Sequence, residues 1–253
     1  MYKFIANTEQ KPVCIDLGVQ SLFPCKVKVK AVDPNKKGAV YLDRVMTING
    51  LQDFEIKLPQ SPPKLLILVT GNADNNSLRV TKLQKKKLKS YKACLKSGKV
   101  KRFVKFAKNF CENAGILSAG RYVSDNGKYV IDYLPVIKDR GRVLTTPARI
   151  SNKTGRMEIS QQAFRRMTIP MRMAILCHEF SHFYMNKVTK DEIEADLNAL
   201  KIYLGMGYPV IEAHKAFLET FMKYPSETNK ERYEYLKTFI DNWEQNKYAF
   251  CLT

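Results

Sequence analysis

The sequence predicts an α+β protein in two parts, an all-β region over 1–72 and a mixed region of helices and strands over 78–253. Three observations predict this. Short segments of alternating polar and apolar residues fill the first 70 or so positions. A polar, turn-rich break follows at 71–77 (GNADNNS). Beyond it the apolar spacing changes from two to three or four residues, the mark of amphipathic helices. With 253 residues, 45% of them hydrophobic, the chain has enough apolar material to bury a core, which excludes disorder as its overall state.

Four short strands are expected in the first part: 25–32 (CKVKVKAV), 39–42, 54–58 (FEIKL) and 65–70, the last following Pro62 and Pro63. Their number and spacing suggest a small β-sandwich of immunoglobulin-like type, without the Cys…Trp…Cys frame of antibody domains. In the second part, 82–95 and 99–114 read as basic helices divided near Ser97 and Gly98. Strands are expected at 128–137, 141–150 and 156–160, and helices from Ile169 onward.

The net charge is +19, from 43 Lys+Arg against 24 Asp+Glu, and much of it is concentrated. Between Arg79 and Lys108 there are 13 Lys and Arg and no Asp or Glu. Two readings stand. The stretch contacts nucleic acid or an acidic protein, or it is a solvated helix face, with Val100, Phe103, Val104, Ala107, Phe110 and Cys111 turned to the core. The six cysteines are scattered with no CxxC pair, which argues against a zinc ribbon and a disulfide scaffold. The longest aliphatic run, 65–69, is far short of a membrane span, so no membrane is expected among the partners. The N-terminal MYKFIANTEQ has neither a basic n-region nor an apolar core, and a cytoplasmic location is expected.

Chemistry is carried by 177–186, CHEFSHFYMN. His178, Glu179 and His182 form H-E-x-x-H. On a helix the two histidines lie four residues apart on one face, so both imidazoles can reach one Zn²⁺, with Glu179 beside the open position as general base. Pro170 suits the first turn of that helix. The competing reading is a pair of packing histidines. His214, alone among apolar neighbours, reads as a core or boundary residue.

A catalytic zinc needs a third protein ligand. The longer metzincin pattern is excluded, because Met185 stands where it needs glycine and Val188 where it needs histidine. The following segment, KDEIEADLNAL at 190–200, offers Glu192, with Asp196 one turn further on the same face to accept the spare N–H of His178. Glu192 also fits a capping box beginning at Thr189, and Glu194 and His214 are reserve ligands.

At these residues the chain resembles the gluzincins, zinc peptidases with H-E-x-x-H and a Glu ligand on a second helix. Glu192-Ile193-Glu194-Ala195-Asp196 is similar to the ligand helix of thermolysin-like peptidases, and especially of the prenyl-protein endopeptidase group. The resemblance implies a zincin-like domain, with zinc on His178, His182 and Glu192, Glu179 as catalytic base and Asp196 in support. A weaker similarity joins Tyr224-Pro225-Ser226 and Arg232 to a His-Pro-Ser…Arg segment of that group, with Tyr224 in the place of His. The expected function is a zinc-dependent endopeptidase acting on a protein or peptide, which pairs with an edge strand at 156–160. Tyr203, Tyr208, Tyr224 or His214 would be the second oxyanion donor. The layout of β region and zincin-like domain also resembles peptidase-like structural proteins of tailed-phage virions. That alternative implies a virion location, a homo-oligomeric neck or tail ring, and DNA or acidic partners at 79–108.

Overall fold

A computed structural model describes residues 1–71, 77–88, 95, 97–223 and 226–245. The protein is α+β and divides into two compact units, Met1–Ser90 and Tyr91–Thr253.

The first unit contains β1 (Tyr2–Asn7), β2 (Val13–Val32), β3 (Val40–Leu58), β4 (Lys64–Gly71) and β5 (Leu78–Lys87). β2 and β3 form an antiparallel pair that runs from Val13 opposite Leu58 to Val32 opposite Val40. β2 is interrupted near its middle, where the register shifts between Ser21 and Cys25. On one side of this bulge the free edge of β2 pairs with β5, and on the other with β4, which in turn pairs with β1. Alternation sends Ile15, Leu17, Val19, Val27, Val29 and Ala31 of β2 inward with Leu65, Ile67 and Val69 of β4.

Two features of this unit differ from the sequence expectation. The strands do not form the two sheets of an immunoglobulin-like sandwich. They form one five-stranded sheet, because β2 and β3, at 20 and 19 residues, run through both halves. The described part of the helix expected over 82–95 is mostly strand β5, which moves the boundary of the first unit from 72 to Ser90. Edge pairing with β2 outweighs the helix propensity of lysine, and β2 and β3 supply the acids that the lysines need. Lys82 and Lys86 lie 3.3 and 2.8 Å from Asp16, and Lys86 is also 2.6 Å from Glu55. Residues 72–76 of the expected linker, and 89–94 of that helix, lie outside the described residues.

The second unit opens with α1 (Gly98–Asn113) and continues through β6 (Gly120–Val123), β7 (Val130–Leu134), β8 (Lys138–Asp139), β9 (Arg142–Val143), β10 (Ala148–Ile150) and β11 (Met157–Ser160). Helices α2 (Gln161–Phe164), α3 (Ile169–Tyr184), α4 (Glu192–Gly205), α5 (Val210–Lys223) and α6 (Glu227–Gln245) complete it. Four strands form a mixed sheet in the order β10-β11-β7-β6, with β11 parallel to β7 and the other pairs antiparallel. The single strand expected at 141–150 is divided into β9 and β10, with Pro147 between them, a residue without the N–H that a continuous ladder requires.

Aromatic packing holds α1, α3 and the sheet together. Phe103 of α1 stacks on Phe180 of α3 at 4.0 Å between centroids, and Phe110 meets Tyr133 of β7 edge to face at 5.2 Å. Beneath them Arg172 of α3 is fully buried. Its guanidinium donates to the Phe164 carbonyl at the end of α2 (2.7 Å) and to the Cys111 carbonyl in the last turn of α1 (2.8 Å). A buried cation placed on helix C-terminal carbonyls is stabilised by hydrogen bonds and by the negative ends of the helix dipoles. Among the described residues no helix is long and apolar enough to cross a membrane. Cys14, Cys25, Cys111 and Cys177 are free and buried.

Gly155 lies in the turn between β10 and β11, with φ +68°. A Cβ there would stand 2.7 Å from the Tyr184 hydroxyl and 2.8 Å from the Phe183 ring, both at the C-terminal end of α3. Gly155→Ala should therefore destabilise the second unit by about 1–3 kcal/mol through backbone strain and overlap. An unchanged denaturation midpoint would contradict this packing.

Candidate metal centre

α3 is fixed at its start by Thr168, whose hydroxyl accepts from the Met171 N–H and donates to Glu212 of α5 at 2.5 Å. Pro170 stands in its first turn, where a missing N–H costs nothing. One face of this largely buried helix presents Ile175, His178, Glu179 and His182 to a cleft of about 580 Å³. Its other walls include β10, Thr189 and Lys190, Glu192 of α4, Phe217 of α5 and Arg232 of α6.

After His182 the chain turns back tightly, and side chains hold the reversal closed. Asn186 donates to the Asp191 carbonyl at 2.7 Å and accepts from Asn198 at 3.2 Å. Asp191 is the N-cap of α4, accepting from the Glu194 N–H at 2.8 Å. The cap is therefore Asp191, and the capping box that would occupy Glu192 from Thr189 does not form. Glu194 accepts from the Lys187 N–H at 3.0 Å, which points it away from the histidines. Glu192, in the first turn of α4, faces them.

The three donor atoms converge. His178 Nε2 and His182 Nε2 are 3.0 Å apart, and each lies 3.5 Å from an oxygen of Glu192. Donors placed tetrahedrally at 2.0–2.1 Å from a zinc ion are separated by about 3.3 Å. The observed edges bracket that length, so the residues present fit a zinc ion. The other ring nitrogens are also engaged. His182 Nδ1 donates to the Thr189 carbonyl at 2.7 Å. His178 Nδ1 lies 2.8 Å from Asp196 Oδ1. Both rings therefore turn Nε2 toward the shared point.

Charge gives the same indication. Burial alone would drive a proton off His178, but Asp196, Glu192 and Glu179 push its pKa up to about 10. Burial would raise the pKa of Glu192, yet hydrogen bonds from both imidazoles and the charge of Arg232 hold it well below the usual carboxylate range. The carboxylates around the two rings thus favour positive charge there. Glu179 is buried, and desolvation raises its pKa against the pull of the two imidazoles, while the Ile150 N–H of β10 bonds its carboxylate.

Arg232 is the main residue that spacing does not reveal. From α6 it grips Asp196 with two hydrogen bonds of 2.8 and 3.1 Å and reaches Glu192 Oε2 at 3.0 Å. Only the weak Pro-Ser…Arg similarity pointed to it, and Tyr224 and Pro225 of that segment lie outside the described residues. His214 is not brought to the cleft. It is half-buried with its ring 6.4 Å from Tyr233, and burial lowers its pKa. Tyr203 and Tyr208 are also elsewhere, stacked on each other, with the Tyr203 hydroxyl donating to the Pro209 carbonyl at 3.0 Å. The edge strand is likewise corrected. Residues 157–160 form β11, which is internal between β10 and β7, and the edge strand beside the cleft is β10.

No family model, curated protein or solved structure matches the chain. The geometry makes a prediction of its own. Glu192→Gln should weaken Zn²⁺ binding strongly and Asp196→Asn about 10–100-fold, while Glu194→Gln should leave it within a few-fold. Titration against a competing chelator reads all three, and a site emptied by Glu194→Gln alone would contradict the arrangement.

Proposed function

We propose that the chain is a zinc-dependent peptidase whose second unit is a zincin-like domain. One observation carries the reading: His178, His182 and Glu192 converge within one cleft that also holds buried Glu179 and the edge strand β10. Zinc held by these three residues would supply Lewis acidity, polarising a water molecule and the carbonyl of the scissile peptide bond.

The remaining work falls to side chains and backbone. β10 pairs only with β11 among the described residues, so an extended peptide can add along its outer side by exchanging the bonds that the Ile150 N–H makes to Glu179 and the Ala148 carbonyl to the Thr146 hydroxyl. Such pairing aligns the substrate by main-chain hydrogen bonds and leaves selectivity to the walls, where Ile175 and Phe217 are apolar and Lys190 is charged. Glu179, with its pKa raised by burial, takes the proton of the attacking water and passes it to the departing amine. Asp196 and Thr189 keep the imidazoles oriented throughout. Arg232 keeps Asp196 and Glu192 in place and offsets their charge.

Glu179→Gln tests this reading. It keeps the side-chain volume and the three ligands, and should lower cleavage of an unfolded protein substrate by about 10²–10⁴-fold at equal zinc content. If the fold serves only as a virion building block, the wild type cleaves nothing and the substitution changes nothing. That outcome would overturn the peptidase reading.

A further inference from the structure

A second cavity, of about 510 Å³, lies in the same unit and shares no lining residue with the metal cleft. One wall is a single stripe of α1, Arg102, Phe106, Asn109 and Asn113, with Lys105 beside it. The facing wall is Tyr122 of β6 and the turn that follows it. The composition is specific. Phe106 and Tyr122 are half-buried, so part of each ring faces the groove. The Asn113 amide donates to the carbonyl and side-chain oxygen of Asn109, at 2.7 and 3.0 Å. Both side chains line the groove, so their amide groups border it. Arg102 and Lys105 lie at the same end of the stripe. Lys105 pairs with Asp125 at 2.9 Å, but both are largely exposed, and such a pair is readily exchanged for another anion.

We propose that this groove binds a nucleotide, free or within a single strand. Aromatic rings, side-chain amides and cations at one end match in order a base's π-face, its hydrogen-bonding edge and its phosphate. The groove also locates the function of the basic stretch. On β5, Lys82, Lys85 and Lys86 are paired with Asp16, Glu9 and Glu55, whereas Arg102 of α1 has no acidic partner among the described residues and is hydrogen-bonded to the Tyr129 hydroxyl. An acidic peptide would satisfy the cations but would leave the rings and amides without a role.

The test uses the full chain with adenosine and cytidine monophosphates and with eight-residue single-stranded RNA and DNA, followed by calorimetry and fluorescence anisotropy. Saturable binding should weaken at least tenfold in Arg102→Glu and in Asn109→Asp, two exposed positions where the melting temperature should not change. Reversing Arg79 and Lys87 on β5, which make no ion pair among the described residues, should have little effect. Mononucleotide binding alone identifies a free nucleotide as the ligand. Tighter oligomer binding, with log affinity falling linearly in log salt concentration, identifies a strand. The proposal is overturned if neither probe binds at low salt, if the β5 reversal rather than the groove substitutions removes binding, or if only an acidic peptide binds.

Discussion

Two imidazole nitrogens 3.0 Å apart cannot both present lone pairs to each other, so a proton or a metal ion must stand between them. This constraint organises the second unit. The i, i+4 spacing on α3 brings the nitrogens together, and the tight reversal at 185–191 brings Glu192 to the same point. The reversal is itself secured by Asn186, Asp191 and Glu194. A polar cluster of this kind is costly to bury unless every member is satisfied, so the surrounding residues matter as much as the three donors.

Support extends well beyond the donors. Asp196 is nearly fully buried and is matched on one side by His178 and on the other by Arg232. α6 is thereby tied to α4, and the ion pair holds the second helix of the site from outside. α3 is held from beneath by Arg172, which caps α1 and α2, and from its N-terminus by the Thr168–Glu212 contact with α5. Each helix of the unit therefore bears on the position of the two histidines.

What was legible in the sequence depended on how local its cause was. His178, Glu179 and His182 share one helix, and Glu192 and Asp196 another, so helical periodicity alone was enough to group them. Glu192 fits both a ligand and a cap because both need the same short spacing, and Asp191, whose side chain takes the cap, removes the second reading. Pairings between distant segments were not legible. KLQKKKLK at 82–89 has the composition of an exposed helix, and only the free edge of β2, with Asp16 and Glu55 nearby, makes most of it a strand. The segment 156–160 reads as an edge because no sequence signal announces that β10 covers one side of β11 and β7 the other. Arg232 reaches Asp196 across 36 positions, a distance that no local pattern spans.

The central claim is that the α3–α4 pair forms one zinc site with an open position. X-ray absorption at the zinc edge on the purified native protein, with elemental analysis of the same sample, tests it most directly. The predicted result is about one zinc per chain, bound by nitrogen and oxygen donors at about 2.0–2.1 Å, with multiple scattering from imidazole and no sulfur. A sulfur shell at about 2.3 Å, or zinc retained in full after His178 and His182 are both replaced by alanine, would contradict it.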